Sequence, residues 1–201
     1  MREEVFEKYV DVPPELLEMP TSGQATYSGG VGIVYNDKDS DVSILSDPSA
    51  VPMIGEMNMT ANFTAAGGDV EGRLSGFYAG DFDVAWTGND AEQWTDAMYS
   101  GDMHMMTPAE REAMIAAFDT PVEGELTFGG DIAPGSFAID ISGTLDNDGK
   151  SVVVGGQGLV NFGQGDAEIA NINGATHSNL TLTEDGVDKT GRMRGFAVKD
   201  D

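Results

Sequence analysis

The sequence predicts an all-β fold, a single and mainly antiparallel up-and-down β-barrel of roughly eight strands carrying a small helical insertion. Three observations point there. Apolar and polar residues alternate over long runs, the pattern of a sheet with one buried face. Turn chemistry recurs between those runs, and 27 glycines supply the bends that barrel corners require. Closure follows from the strand count, because a closed sheet has no exposed edge.

Residues 1–22 read as a lead-in: a charged stretch followed by Val12-Pro13-Pro14 and Pro20, which suits an extended tether or a short helix. The barrel domain is expected over 23–201. Its first strand places Ala25, Tyr27, Val31, Ile33 and Tyr35 on one side, with Thr26, Ser28, Gly30 and Gly32 on the other. Asn36 to Ser40 then supplies a turn. The clearest alternation runs from Met53 to Phe63. It predicts Met57, Met59, Ala61 and Phe63 inside and Glu56, Asn58 and Asn62 outside.

A Gly67-Gly68 turn leads to Val70, Gly72, Leu74 and Gly76, and Phe82, Val84 and Trp86 read as the next strand of a meander. After Pro121 the same pattern resumes through Leu126 and Phe128, then Phe137 to Leu145, then Val152 to Leu159. Asp146-Asn147-Asp148-Gly149 is a hairpin turn, since these residues tolerate positive φ. Ala167–Thr176 and Arg192–Val198 complete the strands.

Residues from about 89 to 120 interrupt this pattern and predict the helical insertion. Thr107-Pro108-Ala109-Glu110 is a capping box with proline at the first helical position, opening a helix to about Phe118. Ala91–Tyr99 forms a second candidate helix.

Composition narrows function. Acidic residues outnumber basic ones 35 to 10, a net charge of -25, so the molecule's field repels nucleic acid and anionic membrane surfaces. No cysteine is present, which excludes disulfides and thiolate sites. No apolar run is long enough for a transmembrane helix, and MREEVFEKYV is too charged for a signal-peptide core. Two readings stay open: a cytoplasmic chain, or one whose export signal or lipid anchor has been removed ahead of Met1.

Catalytic motifs are lacking. Only His104 and His177 could serve a hydrolytic triad, and neither sits in a nucleophile motif. There is no phosphate loop and no EF-hand. The unusual cluster is Met98 to Met106, where Met103, His104, Met105 and Met106 combine thioether and imidazole groups able to hold Cu(I) or haem iron. Methionines also fill irregular gaps between helices and a barrel, and that packing use stands beside the ligand use. Trp94, Tyr99 and His104 are the candidate binding contacts, because loops on a rigid barrel can vary without disturbing its core.

Four segments resemble the barrel domains of transferrin-binding-protein-like lipoproteins of Gram-negative bacteria. They are MPTSGQATYSG from Met19, MNMTANFTAAGGDVEGRLSGF from Met57, FAIDISGTL from Phe137, and GGQGLVNFGQGDAEIANINGATHS from Gly155, in the family's order. The resemblance implies a non-catalytic protein, at the bacterial cell surface or outer membrane or secreted, that binds a protein or small solute. It transfers no ligand residue by residue. Two rivals are a lipocalin-like carrier of one small ligand in the barrel and a barrel enzyme using carboxylates at one mouth.

Overall fold

Alternation along the chain becomes inward and outward in space because successive strand side chains point to opposite faces. The computed structural model describes residues 20–37, 49–80, 116–163, 167–176 and 178–200. They form nine strands: β1 (Gly23–Asp37), β2 (Val51–Thr64), β3 (Gly67–Ala79), β4 (Thr120–Asp131), β5 (Ser136–Asn147), β6 (Lys150–Gly163), β7 (Ile169–Ala175), β8 (Leu180–Glu184) and β9 (Val187–Lys199). Every pairing is antiparallel between neighbours, and β9 closes onto β1 with Val31 opposite Gly195. The result is a closed barrel.

Nine strands fill eight positions. β7 pairs with the end of β6 (Gly163 opposite Ile169) and β8 with its beginning (Gly156 opposite Leu180). Seven steps along β6 are thus matched by eleven along the chain from β7 to β8, so the connection between Ala175 and Leu180 carries four residues more than an unbroken strand would. Backbone groups at the break are satisfied locally. Thr176 donates its N–H to the Gly191 carbonyl (2.9 Å), and Gly191 donates its N–H to the Thr176 hydroxyl oxygen (3.0 Å).

The face assignment on β2 holds. Met57, Met59, Ala61 and Phe63 are buried, and Glu56 and Asn58 are exposed. Asn62 is half-buried because it joins an outer ladder, accepting from Gln24 (2.7 Å) and donating to Asp69 (2.8 Å). On β1 the inward set is also as expected, but Gly32, Val34 and Asn36 are buried too, so that end of the strand is packed on both faces.

Three strand readings are corrected. Gly76 does not continue the inward row of Val70 and Leu74: the register shifts there, Gly76 takes φ +61, and Phe77 becomes the inward residue, its ring lying over Gly55. A bulge of this kind inverts the phase of everything after it. The strand expected from Ala167 starts at Ile169 and stops at Ala175, with β8 following it. The last strand begins at Val187, five residues ahead of Arg192, because Asp185 (φ 51) and Gly186 (φ 78) make a tight hairpin turn. Asp148 (φ 54) and Gly149 (φ 82) make the matching turn between β5 and β6, as their types predict.

Phe82, Val84 and Trp86 lie outside the described residues, as does Thr107 with its cap. Of the expected helix, residues 116–118 are described: Ala116 is helical, Ala117 lies in a turn, and the chain has left the helix at Phe118.

Glycine makes room inside. A Cβ at Gly72 would collide with the ring of Phe128, and one at Gly158 would lie 2.7 Å from Ile141 Cδ1. Large side chains of neighbouring strands therefore occupy the space over inward glycines.

Candidate functional site

The barrel has two unlike ends. At one, Tyr27, Phe63 and Phe137 surround Phe162, with ring centroids 5.6, 5.5 and 5.8 Å from it. These residues come together because the start of β1, the end of β2, the start of β5 and the end of β6 all reach this end. Tyr27 donates its hydroxyl to the Ala167 carbonyl at 2.6 Å, which gives the buried phenol its partner. Burial holds this phenol well above its ordinary pKa. The end is plugged by aromatic rings.

The other end is polar. Tyr35 on β1 donates to Glu184 Oε1 (3.0 Å), and Lys189 on β9 pairs with Glu184 Oε2 (3.1 Å). Lys150 stands 3.6 Å from the same carboxylate but is itself exposed, whereas Glu184 and Lys189 are nearly buried. Burial by itself would raise the Glu184 pKa. Hydrogen bonds from Lys189 and Tyr35, with the charges of Lys189 and Lys150, outweigh it and hold the carboxyl below its usual range. For Tyr35, burial first and the adjacent Glu184 and Asp185 second push the phenol upward, against a lowering hydrogen bond with Asn147.

Chemically this group is a latch. Glu184 is ionised near neutral pH, Tyr35 is protonated, and the ammonium of Lys189 is committed to an ion pair, so none of the three is poised to exchange a proton. Its structural effect is to tie β1 to the β8–β9 hairpin across the seam where the barrel closes. Local sequence does not show it, because Tyr35 and Glu184 lie 149 residues apart.

The polar end also receives the two long connections. Residues 38–50 join β1 to β2, and residues 80–119 join β3 to β4. Trp94, Tyr99, Met103, His104, Met105 and Met106 all belong to the second connection and lie outside the described residues, as does His177. Among the described residues no group of three or more histidines and carboxylates is placed to hold a metal ion.

Outward positions are polar on most of the wall. Glu56, Asn58, Glu71, Arg73, Glu125 and Asp140 are exposed there. Arg73 pairs with Glu125 at 3.4 Å, an exposed contact of small energetic weight. A membrane-spanning barrel presents an outward apolar band instead, so these strands are arranged opposite to a membrane barrel. Among the described residues no helix is long and apolar enough to cross a membrane.

Comparison with known proteins adds little. No family model matches the chain, and no curated protein matches it. Among solved structures, a polyisoprenoid-binding domain from Saccharophagus degradans, described as implicated in plant cell wall breakdown, aligns over 89% of this chain and 99% of its own. The identity is 11% and the TM-score 0.29. A superposition at that level carries no weight for the fold or for function. The barrel rests on the pairing of its strands, with β9 closed onto β1.

Proposed function

We propose that the chain is a non-catalytic binding barrel of the transferrin-binding-protein-like kind, secreted or at the bacterial cell surface, which recognises a protein or small solute with the connection around 89–120. The observation that carries this reading is the filling of the barrel's interior. Phe128 covers Gly72, Ile141 covers Gly158, and four aromatic rings plug one end. A barrel filled this way acts as a scaffold for its loops, whereas a carrier keeps room for a ligand. The four segments that resemble the family fall on β1, the β2–β3 hairpin, β5 and the β6–β7 region, which supports the same reading.

The test is retention by the full chain. The parent protein and Trp94→Ala, Tyr99→Ala and His104→Ala variants are immobilised and exposed to the medium of the producing cell. Retained species are quantified by mass spectrometry. An aromatic anchor should cost about 2 kcal/mol or more of binding when truncated, with the melting temperature unchanged. Equal retention by all variants, or a lower melting temperature with no loss of retention, refutes the assignment. Titration with Cu(I) and with haem tests the soft cluster separately. Ligation through His104 gives a spectral change that His104→Ala removes, and no change in the parent leaves Met103, Met105 and Met106 as packing residues.

A further inference from the structure

We infer that the outer wall formed by β6, β7 and β9 is a second interaction surface, fitted to a protein segment that presents a carboxylate beside an aliphatic side chain. This inference is independent of the connection at 89–120. It begins with charge. The outward positions of β3, β4 and β5 carry Asp69, Glu71, Glu123, Glu125, Asp140 and Asp146. The outward positions of β6 from Val153 to Asn161, of β7, and of β9 from Arg192 to Val198 carry no carboxylate at all. In a chain with 35 acidic residues this is a pronounced asymmetry.

On that acid-free wall stand two arginines. Arg192 is exposed and Arg194 half-exposed, and among the described residues no carboxylate pairs with either. They point outward from alternate positions of one strand, about 7 Å apart along it. Their neighbours in register are Val34 and Ala175 for Arg192, and Gly32 and Asn173 for Arg194. None of these can neutralise a guanidinium. At the β5 border of the wall Asp140 accepts a hydrogen bond from Gln157 (3.2 Å), whereas carboxylates farther off are screened over about 8 Å at physiological salt, so among the described residues the β9 side of the wall presents chiefly the positive charge of Arg192 and Arg194.

The register then sets the rest of the pattern. Leu159 on β6 lies opposite Asn173 on β7, and Asn173 lies opposite Arg194 on β9. Leu159 is 52% exposed, the more exposed of the two large apolar side chains on the outer face of β6. One row across three strands therefore offers an aliphatic side chain, an exposed amide and a guanidinium within about 10 Å. Arginine with apolar contact and few acidic residues is the composition of protein interfaces, and amides at this spacing can bond an extended backbone. Val34 and Gly32 beyond β9 are buried, as are Ile169 and Asn171 at the outward positions that open β7, so the exposed part of the wall is the row from Leu159 through Asn173 to Arg194, with Arg192 beside it.

The experiment is a nuclear magnetic resonance titration of the full chain with a short peptide of alternating glutamate and leucine, with an alternating glutamine and leucine peptide as control. Amide shifts are expected at Leu159, Asn173, Arg192 and Arg194, with an affinity that falls as salt rises. The Arg192→Gln/Arg194→Gln variant should weaken binding about tenfold or more, and Leu159→Asn should weaken it at unchanged salt dependence. All three side chains are at the surface, so unchanged melting confirms that the fold is kept. Shifts on β3–β5, equal binding of the glutamine peptide, or no effect of the double variant overturns the inference. Stronger binding to vesicles of anionic lipid than to the glutamate peptide overturns it as well.

Discussion

At the scale of single residues, the interior is governed by where side chains are absent. Gly72 and Gly30 make the contrast. A Cβ on Gly72 would meet the Phe128 ring and lie 2.7 Å from the Asn58 carbonyl oxygen, whereas one on Gly30 meets only the Gly55 carbonyl oxygen at 3.7 Å. Gly72→Ala should therefore cost about 1–3 kcal/mol by overpacking, and Gly30→Ala less than about 0.5 kcal/mol. Denaturant titration of the pair checks both. Tyr27→Phe removes the hydroxyl that satisfies the buried Ala167 carbonyl and should cost about 1–3 kcal/mol. It also has a pH signature. The Tyr27 pKa is raised by burial, so the wild-type stability is intact below the unfolded value of 10.0 and declines as pH rises beyond it. Part of that alkaline decline should vanish in Tyr27→Phe, seen as a flatter loss of melting temperature above that pH.

Strand elements were legible in proportion to their regularity. β2 could be read side chain by side chain from Glu56 to Phe63 because polar and apolar residues alternate there, with Thr60 and Asn62 half-buried on the outer face, Asn62 within its amide ladder. β3 could not, because the residue that breaks its phase is one glycine among 27, and nothing in the local sequence marks Gly76 as the bulge. The β8–β9 hairpin was missed although Asp185-Gly186 is itself a hairpin signal, the same type as Asp148-Gly149. The split of β7 from β8 had no such signal. Its stitch is testable: Thr176→Val removes the acceptor for the Gly191 N–H at 3.0 Å and should cost on the order of 1 kcal/mol. Amide exchange at Gly191 should quicken correspondingly, and unchanged protection there would show that the break is held by other contacts.

For the molecule as a whole, closure depends on a seam between the first and last strands, and the latch of Tyr35, Glu184 and Lys189 sits at its polar end. Because the folded-state pKa of Glu184 is lowered, its contribution is present above the unfolded value of 4.5 and is lost as pH falls below it. Glu184→Gln should lower the melting temperature at pH 7 and leave it less sensitive to acid, so that the two proteins converge at low pH. Parallel curves for variant and parent would show that Glu184 is not the group titrating. Lys189→Met leaves the nearly buried carboxylate short of its main partner and should destabilise more than Lys150→Met, whose ammonium is exposed.

Sequence by itself determined that this chain is a β-barrel and, wherever a strand runs without a bulge, which residues line it, since inward positions repeat every second residue and that period survives without knowledge of partners. It also determined what the chain lacks, from cysteine to phosphate loops, because absence of a residue type needs no coordinates. Tertiary structure alone decided the rest. The bulge at Gly76, the interrupted strand of β7 and β8, the latch from Tyr35 to Glu184 and the row from Leu159 to Arg194 each join residues from different strands. Their positions depend on register, which is a property of paired strands and so cannot be read from any one of them.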